Sequence, residues 1–124
     1  SVLELNPRPT ATLDLYDPDW HSGLFDRHLR ACAGELPATV PVPGAARAST
    51  IVTAPRDWSP GPAFTFPAWC RDLPMPGTAF RAGDPVCTVF AEPPTPAAAT
   101  ASVLECAALL RAAIGAADPP REPS

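Results

Sequence analysis

The chain contains no lysine, because all nine of its basic residues are arginines. Without an ε-amine the protein can form no Schiff base, and it has no lysine with which to hold the phosphates of ATP. Any nucleotide chemistry would therefore need groups from elsewhere, although a GC-rich coding sequence also accounts for the absence. The arginines are scattered between Arg8 and Arg121 and the net charge is −4, so we expect no nucleic-acid partner.

Metal-binding cysteine motifs and long apolar runs are also missing. The four cysteines form no C-x-x-C pair, which leaves a zinc or redox motif without support. No signal peptide and no run of about 18 apolar residues is present, so we expect no membrane span and a cytoplasmic location. The chain starts at Ser1 without an initiator methionine, from which we expect it to be cut from something longer.

The composition favours a folded protein with short elements. Hydrophobic residues make up 46% of the 124 residues and charged residues 18%, which is typical of a globular chain with one core. Proline and glycine together account for 26 residues, a share that predicts long connections and short strands but stays below that of disordered low-complexity chains.

The hydrophobic pattern predicts an α+β fold with a short edge strand, one helix, a small β-rich subdomain and a C-terminal helix. Val2–Leu5 is predicted as the edge strand, and 18–33 as a helix with Asp17 as N-cap and Gly34 as C-terminal cap. The Ala-rich stretch 97–115 is predicted as the second helix. Short β-branched or aromatic runs predict four further strands: Ala48–Ala54, Ala63–Phe66, Thr78–Phe80 and Val86–Ala91.

These elements predict four segments in the chain. Residues 1–35 form the strand and helix that end a catalytic domain, and 36–92 form the β-rich subdomain. Residues 93–117 form a proline-rich hinge and the terminal helix, and 118–124 form a disordered tail.

The most specific motif is Glu4-Leu5-Asn6-Pro7-Arg8 at the end of the predicted edge strand. Pro7 ends the strand, and alternation places Glu4 and Asn6 on the same face. Carboxylate and amide oxygens suit Mg²⁺, and a guanidinium such as that of Arg8 matches a phosphoryl group. The alternative interpretation is a strand that ends in a proline-flanked turn, with Glu4 and Arg8 as surface charges.

A second set of motifs lies between Trp69 and Val89. The sequence reads W-x-x-D-x-P-x-P-G-T and, after a turn at 81–84, G-x-P-V-C-T-V. Together with E-x-N-P-R, this segment resembles the C-terminal portion of ATP-grasp ligases. The resemblance extends loosely over residues 1–91 and is close only in the quoted segments.

The resemblance implies a role for three residues. Glu4 and Asn6 would be ligands of the Mg²⁺ that accompanies ATP, and Asn6 and Arg8 would contact the nucleotide site, with Arg8 as the catalytic group that stabilises the transferred phosphate. The parent enzyme would be an ATP-dependent ligase that joins a carboxylate to an amine or a related nucleophile. The ATP-binding lysines of the family are absent, so we expect the chain to be inactive without an upstream ATP-grasp core in the same or a neighbouring polypeptide.

Other residues give weaker signals, and one alternative function stays open. His21 and His28 stand seven residues apart beside no acidic cluster, which favours a role on the helix surface. The apolar strand Val2–Leu5 without neighbours predicts association into a homo-oligomer. The alternative is a non-catalytic, small β-rich module that binds a partner chain through an apolar edge.

Overall fold

The computed structural model describes residues 10–117 in two compact units, one up to Gly44 and one from Ala45 onward. The described residues form two helices and a three-stranded antiparallel sheet, which confirms the predicted α+β class. The predicted strand Val2–Leu5 and the predicted disordered tail 118–124 lie outside the described residues. Two 3₁₀ turns come first, at Ala11–Leu15 and Asp17–Asp19. The helices are α1 (Leu24–Cys32) and α2 (Pro96–Ala116), and the strands are β1 (Ala48–Thr53), β2 (Cys70–Arg71) and β3 (Pro85–Ala91).

Helix α1 begins later than the sequence predicts. The Asp-Pro-Asp segment forms a separate 3₁₀ turn, and Gly23 then takes a φ of 80°, which ends any continuous helix from residue 18. The prediction that Asp17 is the N-cap is wrong, because Gly23 occupies that position, but Asp17 Oδ1 accepts a hydrogen bond of 2.6 Å from the Leu24 N–H. The acid therefore caps α1 from seven residues away, across the turn.

The C-terminal end of α1 is closed as predicted. Gly34 has a φ of 86°, and its N–H donates to the carbonyl of Ala31. The N–H of Glu35 donates to the carbonyl of Arg30 at 2.9 Å. This pair of bonds is the Schellman motif, in which glycine is favoured because the left-handed conformation strains residues that carry a Cβ.

The sheet has the strand order β1-β3-β2, so the last strand in the chain lies in the centre. Val89 of β3 lies opposite Thr50 of β1 and Cys70 of β2. Among residues 10–117, β1 and β2 each pair with a single strand. A register shift between Val52 and Thr53 ends the regular pairing of β1.

Two of the predicted strands are wrong. The segment from Ala63 to Phe66 contains a turn rather than a strand, and its phenylalanines instead pack around Trp58. The predicted strand from Thr78 is reduced to one bridge, in which Phe80 pairs with Trp58 through hydrogen bonds of 2.8 and 2.9 Å. Aromatic residues are common in strands, which is why these segments were predicted as strands. In the structure the same residues pack against one another instead.

Helix α2 covers one face of the sheet and belongs to the same compact unit. Its buried residues Val103, Leu110 and Ile114 join the core cluster. Burial of side chains of this size contributes about 1.5–3 kcal/mol each. The core that they complete also contains residues of all three strands and of the connections: Val52, Ala54, Trp58, Cys70, Phe80, Val86, Cys87 and Val89.

Both ends of α2 have specific partners. Thr95 is the N-cap, and its side chain accepts from the Ala98 N–H, with Pro96 at the first helical position. At the other end the Arg56 guanidinium donates to the carbonyls of Ile114 and Ala117, where a cation suits the helix dipole. By length and composition α2 is also apolar enough to cross a membrane, with a mean hydropathy of 1.5, although one of its faces is buried against the sheet.

Candidate functional site

The residues predicted to bind Mg²⁺ and phosphate lie outside the described part of the chain. Glu4, Asn6 and Arg8 all precede Thr10, where the description begins. Their assignment therefore stays a prediction from the sequence. Between residues 10 and 117, no group of three or more His, Cys, Asp or Glu side chains lies close enough to hold a metal ion.

The second motif segment folds as a paired unit. Its first part forms β2 and its last part forms β3, and Arg71 lies opposite Thr88 in the antiparallel ladder. The intervening loop contains two glycines with positive φ, Gly77 at 80° and Gly83 at 91°. The two parts of the sequence motif are therefore neighbours in one sheet, and the glycines are required by the turns between them.

Several aspartates of the described units accept hydrogen bonds from backbone N–H groups of turns. Asp84 Oδ2 accepts from the Arg81 N–H at 2.8 Å, and Asp57 Oδ1 accepts from the Ala82 N–H at 2.9 Å. In the first unit Asp19 Oδ1 accepts from the Gly44 N–H. Asp17 and Asp19 therefore both accept hydrogen bonds from backbone N–H groups of the first unit.

An apolar groove lies in the second unit beside the aromatic cluster. Its volume is about 450 Å³, and none of its lining residues carries an ionisable group: Pro60, Gly61, Pro62, Phe64, Phe66, Leu73, Pro74, Pro76 and Gly77. Such a lining can contact apolar groups, but it offers no acid, base or metal ligand. Met75, in the same loop, is 76% exposed.

The cysteines differ in their environments. Cys70 and Cys87 are buried in the core, and burial raises the pKa of both thiols, that of Cys87 to about 12. A thiol that stays protonated is a poor nucleophile. Cys32 is exposed on α1, and Cys106 is half-buried.

His28 has a neighbour that the sequence analysis missed. Its Nε2 lies 4.0 Å from the Sγ of Cys32, one helical turn further along α1, and its ring stacks with that of Phe25. The spacing of four residues places both side chains on one helix face. The signal for this pair in the sequence is the H-x-x-x-C pattern from His28 to Cys32, which neither the spacing of the two histidines nor the absence of C-x-x-C pairs reveals.

The tryptophans and the basic side chains of the described units have structural partners. Trp58 is 2% exposed. Its ring centroid lies 4.9 Å from that of Phe64, edge-on, and 5.9 Å from that of Phe80, stacked. These contacts favour a role of Trp58 in core packing over a role as a surface for stacking a ligand. Arg71 lies over the ring of Phe90 at 5.0 Å.

We compared the chain with protein-family models, with curated proteins and with solved structures. None of the three comparisons gives a match. The functional assignment therefore depends on the motifs of the sequence and on the geometry described above.

Proposed function

We propose that the chain is the C-terminal part of an ATP-grasp ligase, an enzyme that joins a carboxylate to an amine or a related nucleophile at the expense of ATP. The observation that carries the proposal is the motif Glu4-Leu5-Asn6-Pro7-Arg8, which offers two oxygen ligands and a guanidinium within five residues. The motif segment from Trp69 to Val89, which resembles the C-terminal portion of the same family, gives further support.

In this proposal each of the three residues has a distinct task. The Glu4 carboxylate and the Asn6 amide oxygen hold Mg²⁺, which neutralises charge on the ATP phosphates. Arg8 donates hydrogen bonds to the transferred phosphoryl group, where stabilisation of charge is the main source of catalysis. The lysines and the remaining acidic ligand come from an ATP-grasp core upstream in the same polypeptide or encoded beside it, in the cytoplasm.

The test uses Asn6→Ala and Arg8→Ala in the complete enzyme, with ADP formation as the readout. Loss of Asn6 removes one metal ligand that water can replace, so the Mg²⁺ concentration for half-maximal activity rises and activity recovers partly at high Mg²⁺. Loss of Arg8 removes charge stabilisation that water does not restore, so turnover falls by roughly 10²–10³-fold at unchanged Mg²⁺ dependence.

The control is Arg81→Ala, which removes an exposed arginine side chain from the turn before β3 and keeps the backbone N–H that Asp84 uses. This variant should retain the turnover of the parent enzyme. If Asn6→Ala and Arg8→Ala also keep full turnover at limiting Mg²⁺, the motif is only a strand that ends in a turn, and the ligase proposal fails.

A second candidate function is a non-catalytic module that adds a strand of a partner chain to its sheet. The observation in its favour is β1, which pairs on one side only among the described residues and exposes 64% of Ile51. In that case the amides of Ala48–Thr53 gain protection from hydrogen exchange when the module binds the upstream core. The Asn6→Ala and Arg8→Ala variants of the complete enzyme then retain full turnover. Unchanged exchange in β1 would exclude this candidate.

A further inference from the structure

Helix α1 presents two metal-ligating side chains at adjacent positions of its surface. His28 Nε2 and Cys32 Sγ are 4.0 Å apart, and both residues are accessible to solvent. Imidazole nitrogen and thiolate sulfur are the two ligand types most common in structural zinc sites. The ring of Phe25 lies nearby, with its centroid 6.4 Å from that of the imidazole.

The separation of the two ligand atoms is close to what zinc requires. With Zn–N of about 2.0–2.1 Å and Zn–S of about 2.3 Å, a tetrahedral angle places nitrogen and sulfur about 3.6 Å apart. The observed 4.0 Å must shorten by only about 0.4 Å, which small side-chain rotations of His28 and Cys32 on a fixed helix achieve.

The site is half complete within one chain. A structural zinc site has four protein ligands, and residues 10–117 supply no third His, Cys, Asp or Glu at this position. A twofold axis through the metal would supply the other two ligands from a second copy, since the same patch then meets itself. The result is a site of two nitrogens and two sulfurs, a ligand set typical of zinc.

The surroundings of the pair suit contact with a second copy. Phe25 and Leu29 lie on the same side of α1 and are 57% and 54% exposed. The charged residues Asp26 and Arg30 lie on the opposite side of the helix, where they pair with each other at 2.8 Å. An apolar strip without charge therefore borders the two ligands, and it becomes buried when two α1 helices meet across a metal.

We propose that two copies of this chain bind one zinc ion through His28 and Cys32 of each copy. This site is separate from the Mg²⁺ and phosphate residues near the N-terminus, so its test does not depend on the ligase proposal.

The experiment titrates the full chain with ZnSO₄ in the presence of a non-thiol phosphine reductant. Light scattering coupled to size exclusion measures the mass, and a chromophoric chelator in competition measures bound zinc. We expect the mass to double from that of the 13.0 kDa chain, with saturation at half an equivalent of zinc per chain. Zinc should also slow the alkylation of Cys32 by N-ethylmaleimide at least tenfold and leave that of half-buried Cys106 unchanged.

The variants His28→Ala and Cys32→Ser each remove one ligand from an exposed position, so the fold should persist, as far-UV circular dichroism can verify. We expect either change to weaken zinc binding roughly tenfold or more and to abolish the zinc-dependent dimer. His21→Ala, which removes the other histidine of the chain, is the matched control and should dimerise like the parent. A monomer at saturating zinc, or a dimer that persists in both ligand variants, would overturn the proposal.

Discussion

Helix α2 is an integral part of the core, and the variant Leu110→Ala measures how much the fold depends on it. Leu110 is 1% exposed and lies against the sheet, whereas the next residue, Leu109, is 60% exposed. The pair allows the same substitution to be made at a buried and at an exposed position of one helix. Since alanine favours helices at least as much as leucine, any difference between the two variants comes from packing.

The expected loss follows from the burial of the side chain. Leucine-to-alanine changes in protein cores cost about 2–5 kcal/mol, the sum of lost transfer free energy and the cavity left behind. Leu110 is nearly inaccessible and contacts a cluster that spans β1 and β3, so we expect about 3–4 kcal/mol. Leu109→Ala should change the free energy of unfolding by less than about 0.5 kcal/mol.

Urea unfolding followed by tryptophan fluorescence provides the measurement, because Trp58 lies in the same core cluster as Leu110. With a slope of about 1.5 kcal/mol per M, a loss of 3 kcal/mol lowers the midpoint by about 2 M. The Leu109 variant should unfold at the midpoint of the parent chain. Equal midpoints for the two variants would show that α2 does not pack on the sheet, and the description of the core would be wrong.

Two further predictions concern turns and thiols. Gly83→Ala should lower the free energy of unfolding in urea by about 1–2 kcal/mol, because Gly83 has a φ of 91°. Gly61→Ala should be neutral or stabilising, because Gly61 has open space around it and no positive φ. Equal losses in the two variants would contradict this prediction. The raised pKa of Cys87 keeps its thiol protonated in the folded chain up to about pH 12, while the unfolded thiol ionises from about pH 8.5. The free energy of unfolding should therefore fall as the pH rises between these two values, by up to about 1.4 kcal/mol per pH unit. In urea unfolding at pH 8–11, Cys87→Ala should show a shallower fall with pH than the parent chain. An equal dependence on pH in the two proteins would refute the assignment.

Local sequence signals determined the elements whose ends are fixed by backbone chemistry. The Ala-rich stretch 97–115 predicted α2 to within one residue at each end, and Gly34 predicted the point at which α1 closes. Each of these features acts within one or two helical turns, so it can be read from neighbouring residues. The magnesium and phosphate assignment of Glu4, Asn6 and Arg8 also comes from the sequence alone and awaits its test.

Tertiary structure decided the features in which distant residues compete for the same partners. The aromatic residues of the segment around Phe64 and Phe66 have the composition of a strand, but contact with Trp58 buries them without a ladder. Phe80 pairs with Trp58 rather than with β3, because β1 and β2 already flank that central strand. The tertiary structure also set the start of α1, because Gly23 takes a positive φ after a separate turn that the helical pattern of the sequence did not reveal.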